Sequence, residues 1–252
     1  MPIEILIPVA VFIFGAIVGS FLNVCIYRLP RKESLAFPGS HCPVCNTSIR
    51  FYDNVPIASW IFLLGKCRKC RSPISIQYPI VEAVNAGGYF YLYTRFGLTG
   101  EAAVYALFFS ALLVITFIDL HHKIIPDVIS LPGIGVGLLA SLFVLPLTFW
   151  DALIGAALGW GLFYLVALLS RGGMGGGDIK LISMIGAFLG WEKMLLTIMS
   201  GAFAGSIVGI VLMILFKKSR KYAVPFGPFL ALGALASLFW GTSMIQWYLH
   251  FM

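Results

Sequence analysis

The chain has 252 residues, of which 60% are hydrophobic and only 11% charged, against about 25% charged in an ordinary soluble domain. It carries 17 Lys and Arg against 10 Asp and Glu, a net charge of +7. The apolar residues fall in long runs rather than amphipathic stripes, which excludes a soluble core as the main architecture and points to an all-α polytopic membrane protein.

The first run, residues 5–27, carries no charge over its whole length. It is longer than a signal-peptide core, no basic stretch precedes it and no small-residue cleavage site follows, so it reads as a retained transmembrane helix. Seven further candidate spans cover residues 79–93, 102–118, 128–147, 152–170, 179–189, 194–216 and 226–249. About eight transmembrane helices are therefore expected, the second and sixth short against the ~20 residues a bilayer requires. No repeat of 20–50 residues recurs. The chain divides into the first helix (1–27), a polar loop (28–78) and the remaining membrane core (79–252).

Positive charge sets the expected orientation. With the N-terminus outside, four linkers face the cytosol: residues 28–78, 119–127, 171–178 and 217–225. With Lys180 just beyond the third, they hold 15 of the 17 basic residues, leaving out only Arg95 and Lys193. The net charge is then a positive-inside signature with some attraction to anionic membrane lipid, and no nucleic-acid partner is needed to explain it.

The loop contains Cys42-Pro43-Val44-Cys45 and, 21 residues later, Cys67-Arg68-Lys69-Cys70. Two such knuckles suit a tetrahedral structural Zn²⁺ site, a small zinc-ribbon-like element in which all four ligands are protein thiolates. Two disulfides, or thiols with no shared role, are the competing readings; a reducing cytosol opposes the first. His41 is a neighbour rather than a ligand, and Cys25, within the first run, is an ordinary buried thiol.

Carboxylates near hydrocarbon are costly, so they are candidates for chemistry. Asp119 ends the uncharged run 102–118, and Asp178 follows Gly172-Gly173-Met174-Gly175-Gly176-Gly177. Held at one depth, two such acids can share a proton, one activating water and the other donating to a scissile carbonyl. The glycines would let an extended substrate approach, through freedom in φ and absence of side chains. Each element also has a plainer reading: a solvated helix end for either acid, and a linker for the glycines. Asp127 fits a helix N-terminus. The glycine stretch lacks a phosphate-loop ending, His121-His122 is not a zinc-protease pair, and no Gly-x-Ser-x-Gly elbow occurs.

Taken in order, the motifs resemble the prepilin (type IV leader) peptidases, membrane aspartyl proteases with a Gly-x-Gly-Asp signature. The resemblance runs through Gly19-Ser20-Phe21-Leu22-Asn23-Val24, Arg28-Leu29-Pro30, the two cysteine pairs with Asn54-Val55-Pro56 between them, and Tyr78-Pro79 with Val81-Glu82. It continues with Ile118-Asp119, Ile125-Pro126-Asp127, Gly175-Gly176-Gly177-Asp178-Ile179-Lys180 and Pro225-Phe226-Gly227-Pro228. The stretch 29–41 is shorter than the family pattern.

The resemblance implies that Asp119 and Asp178 are the catalytic pair and that the substrates are prepilins or pseudopilins, cut after a glycine that ends a basic leader. It implies a multi-pass protein of the bacterial inner membrane with its active site facing the cytosol. It also implies N-methylation of the new N-terminus from S-adenosylmethionine, although no glycine fingerprint of a βαβ cofactor site is visible. Glu82 and the segment 19–23 match family motifs without revealing a role. A non-enzymatic membrane scaffold with a zinc-binding docking loop is the alternative, and a transporter is weaker because the acids sit at helix ends.

Overall fold

A computed structural model describes residues 3–170, 173–215 and 224–250, and among them every regular element is a helix. The basic linker expected over 217–225 lies outside the described residues as far as position 223, as do Arg171, Gly172 and Phe216. Eight α-helices form: α1 (Ile3–Arg28), α2 (Ala58–Phe62), α3 (Gln77–Phe96), α4 (Gly100–His122), α5 (Asp127–Phe143), α6 (Phe149–Leu169), α7 (Gly176–Leu215) and α8 (Gly227–His250). Local chemistry marks several ends. Gly97 closes α3 at a positive φ of 69° that glycine adopts freely, its N–H donating to the Tyr93 carbonyl at 2.8 Å. Thr148 opens α6 by accepting the Asp151 N–H at 3.1 Å and donating to the Asp151 carboxylate at 2.7 Å, a reciprocal cap.

Among the described residues, five helices are long and apolar enough to cross a membrane: α1, α4, α6, α7 and α8. The chain is thus an integral membrane protein, but the expected count of eight spans is not what length and apolarity give. In α3 the polar residues Gln77, Glu82, Asn85 and Arg95 dilute an otherwise spanning 20-residue helix. The fourth expected span, α5, is only 17 residues long. The sixth and seventh are joined in the 40-residue α7, whose helical backbone breaks at Gly190 (φ 80°). Apolar side chains such as Ile13, Phe14, Ile17 and Phe21 of α1 stand about half exposed, the lipid-facing pattern of a membrane helix rather than the polar exterior of a soluble one.

The described residues fall into two compact units with the boundary between Val114 and Ile115, inside α4. In the first, α1 and α3 run antiparallel in close contact. A Cβ on Gly15 would lie 2.8 Å from the Ala86 Cα, and one on Gly19 2.7 Å from the Glu82 Cα, so this Gly-x-x-x-Gly pair is what lets the backbones meet. Asn85 donates to the Gly15 carbonyl at 2.8 Å and accepts from Ser110 of α4 at 2.9 Å, satisfying polar groups that lipid could not. In the second unit α7 is the centre, packed by α5, α6 and α8. Residues Leu181 to Gly190 are all buried, and Gly155 of α6 meets Gly186 of α7 backbone to backbone.

Candidate functional site

The loop of the first unit is built on two knuckles with the same local geometry. Cys42 donates its N–H to Thr47 at 3.0 Å and accepts from Asn46 at 2.9 Å; Cys67 repeats this with Ser72 at 2.9 Å and Arg71 at 3.0 Å. Asn46 (φ 54°) and Arg71 (φ 60°) turn each knuckle through the left-handed region. Single antiparallel bridges, His41 with Ser48 and Lys66 with Pro73, close the pair. The four sulfurs of Cys42, Cys45, Cys67 and Cys70 lie within 4.8 Å of one another. Thiolates around one zinc ion at ~2.3 Å sit about 3.8 Å apart. The observed Sγ separations are 3.7 Å for Cys42–Cys70 and 4.0 Å for Cys45–Cys67, while all four thiols are unbridged. The cluster can hold a tetrahedral metal ion. Backbone N–H groups of Cys45 and Val44 push the Cys42 thiol down to about 6, whereas the Cys67 thiol stands above its usual range beside its neighbouring sulfurs.

Around the knuckles, Arg68 grips both oxygens of Asp53 at 2.6–3.0 Å and holds that carboxyl below its usual range. This clamp stabilises the loop above the ordinary carboxylate pKa and is lost as pH falls through the lowered one. His41 turns its Nδ1 to the Gly39 carbonyl at 2.9 Å and stays out of the cluster, and Cys25 is a buried thiol in α1.

The two acids singled out from sequence both belong to the second unit. Asp119 lies in the last turn of α4 and is 5% exposed. Its Oδ2 accepts the Gly227 N–H at 2.9 Å, and a Cβ on Gly227 would stand 2.7 Å from that oxygen. Asp178 lies in the first turn of α7, half-buried, with its N–H donating to the Gly175 carbonyl at 3.1 Å. The two carboxylates are near enough to interact electrostatically, although they stand 59 positions apart in the chain. Ile125 closes the same corner, since a Cβ on Gly177 would come within 2.8 Å of its Cβ.

Two expectations change here. Only Gly173, Met174 and Gly175 of the described glycine stretch precede the helix, because Gly176 and Gly177 already form the first turn of α7. Neither Gly175 nor Gly177 has a positive φ, so space, not backbone freedom, requires glycine. Asp127 begins α5 as expected, but Pro126 is the cap residue and no side chain caps the helix. The Asp127 carboxylate instead receives Lys180 at 2.7 Å on both oxygens, tying α5 to the start of α7.

A cavity of about 1220 Å³ lies in the first unit between the loop and the loop-facing ends of α1 and α3, with Asn23, Arg28, Trp60, Ser72 and Glu82 in its wall. Glu82 accepts the Ile57 N–H at 2.7 Å and thereby holds a loop residue at φ 63°. Sequence reading gave this pair no role, although an acid and an amide in apolar runs were the signal.

The family described as Bacterial Peptidase A24 N-terminal domain matches residues 13–96, and the Type IV leader peptidase family matches residues 106–210. A prepilin leader peptidase/N-methyltransferase of Pseudomonas aeruginosa is 36% identical over 267 residues, covering 95% of this chain and 92% of the relative. Proteins of the same description from Aeromonas hydrophila and Legionella pneumophila are 36% and 35% identical, each across 95% of this chain and 92% and 93% of their own. No solved structure matches.

Proposed function

The chain belongs to the type IV leader peptidase family, and from that premise we propose that it is a membrane aspartyl endopeptidase that removes the basic leader of prepilins or pseudopilins and N-methylates the new N-terminus. The observation that supports the cleavage reading is the electrostatic interaction of Asp178 with Asp119, whose Oδ2 is held by the Gly227 N–H. In this reading the two carboxylates share one proton, since neighbouring like charges cannot both ionise cheaply. One carboxylate takes a proton from water as it attacks the carbonyl of the leader's terminal glycine, while the other donates its proton to that carbonyl oxygen. On collapse the first passes the water's proton to the leaving amine and the second recovers its own from the tetrahedral hydroxyl. Gly227 orients Asp119, and the Asp127–Lys180 pair steadies the start of α7 that carries Asp178. An α-helical substrate hides its carbonyls, so the scissile bond must be locally extended.

Charge distribution supports a bacterial inner-membrane protein whose acids face the cytosol, where a basic leader would lie. Residues 28–78 act as the cytosolic loop and residues 79–252 as the catalytic core. Cys42, Cys45, Cys67 and Cys70 would hold zinc, which supplies the loop's folding free energy rather than chemistry, since no ligand position is left open. S-Adenosylmethionine, when bound, supplies the methyl group. The cavity of the first unit has the volume for such a ligand, polar groups in its wall and the Trp60 ring as an apolar surface. A scaffold function is not favoured, because relatives named as enzymes align with 95% of the chain.

The test is incubation of purified protein with a prepilin and the methyl donor, reading mass. Loss of the leader together with a methyl gain on the product is expected. Uncut prepilin with folded, metal-loaded protein would return the scaffold reading.

A further inference from the structure

The cavity wall contains two groups for which leader cleavage has no use. Asn23 is 3% exposed, and its Nδ2 donates to the carbonyls of Tyr78 at 3.1 Å and Gly19 at 3.4 Å. Its Oδ1, however, is buried without a hydrogen-bond partner. Such orphaned acceptors are rare, because burial strips them of water and nothing replaces it. Glu82, 6% exposed, accepts the Ile57 N–H at 2.7 Å and a hydrogen bond from the Ser20 side chain. No ion pair reaches it among the described residues. Arg28, the cation at the same end of α1, is turned away to the carbonyls of Ser34 and Pro38 at 2.8 and 2.6 Å.

The two groups are neighbours. Tyr78, which Asn23 holds, precedes Glu82 by one helical turn, and Gly19, one turn before Asn23, packs on the Glu82 Cα. Both side chains line the cavity. We propose that Asn23 Oδ1 and the Glu82 carboxylate form a binding subsite for a primary ammonium group. Its N–H donors satisfy the orphaned oxygen and its charge compensates the unpaired acid. A guanidinium suits the place less well, since its five donors would meet only these two acceptors.

Resting on the methylation reading, this chemistry has two sources: the N-terminal amine of the processed pilin and the amino-acid end of the methyl donor. Binding to full-length protein in detergent separates them, using two probes. One is a peptide with a free N-terminal phenylalanine against its N-acetyl form. The other is S-adenosylhomocysteine against its desamino analogue. In wild-type protein, removal of the amine from at least one probe should weaken binding by about tenfold or more, the scale of a lost charge-assisted hydrogen bond. That dependence should shrink below about threefold in Glu82→Gln and fall also in Asn23→Ser, with zinc content reporting that each variant is folded. The probe that shows it is the occupant. Equal affinity of both probes and their amine-free forms in wild-type protein overturns the subsite, as does undiminished amine dependence in both variants. Amine-dependent binding with no methyl transfer would instead remove the methylation reading and leave the subsite standing.

Discussion

The cysteine cluster and the aspartate pair are assembled on different length scales. Each knuckle takes its shape from a few consecutive residues: two cysteines, a left-handed turn at Asn46 or Arg71, and a backbone bond across the turn. Only the pairing of the knuckles needs a longer connection, and metal binding can supply it. The aspartate site has no such local frame. Asp119 ends α4, Asp178 begins α7, and the N–H that orients Asp119 opens α8, 108 positions away. Its geometry is inherited from helix packing in the second unit. Damage to the loop should therefore be chemical and local, whereas damage to the acids' site can come from any side chain that shifts a helix end.

The sharpest way to break this comparison is at Gly227. Gly227→Ala places a Cβ 2.7 Å from Asp119 Oδ2. Because displacement of a catalytic group by ~1 Å costs about 100-fold, leader removal should fall by that order. An unchanged rate at matched membrane levels would mean that Asp119 does not depend on α8.

Next come the glycines before Asp178. Gly177→Val meets the Ile125 Cβ at 2.8 Å and should lower cleavage by about tenfold. Gly175→Val meets only the Asp178 Oδ2 at 3.2 Å and should cost less. The reverse order in a leader-removal assay would place the sensitive contact in the loop rather than at the helix start.

The loop gives a different kind of loss. Serine at Cys42, Cys45, Cys67 or Cys70 should release the metal, read as zinc per chain, while cleavage falls by less than about tenfold because the acids lie in another unit. Acidification tests the same point. Protons compete with the metal for all four sulfurs, so zinc uptake by metal-free protein should weaken as pH falls. The smallest effect is expected for Asp127→Asn. Its pair with Lys180 is solvent-exposed on the acid's side, and such pairs are worth about 1 kcal/mol or less, so cleavage should change by a few-fold at most.

How far the sequence could be read follows the same division. Cys-x-x-Cys spacing is a local signal, and the cluster it predicts is present. Asp119 and Asp178 stood out because charge is rare in apolar runs, but their link to Gly227 was not legible, since only packing brings α8 to α4. Pro225-Phe226-Gly227-Pro228 could be picked out as a motif without its purpose. The count of spans differs between the sequence and the helices for a related reason, since α3, offered by the sequence as a span, is not among the five. Polar residues of α3, among them Asn85, turn toward α1 and α4, so mean hydropathy understates a helix whose inner face is satisfied by protein. The break at Gly190 was foreshadowed by the gap between the runs 179–189 and 194–216. Gly15 and Gly19 were a legible packing signal of the Gly-x-x-x-Gly kind that went unread.

The most direct measurement is leader removal by Asp119→Asn and Asp178→Asn protein, each folded and at wild-type level in the membrane. Asparagine keeps the shape of the side chain but can neither accept the water's proton nor return one. Each substitution alone should reduce cleavage of a prepilin by about 10²- to 10⁴-fold. Wild-type cleavage by either variant would contradict the assignment of the reaction to this pair.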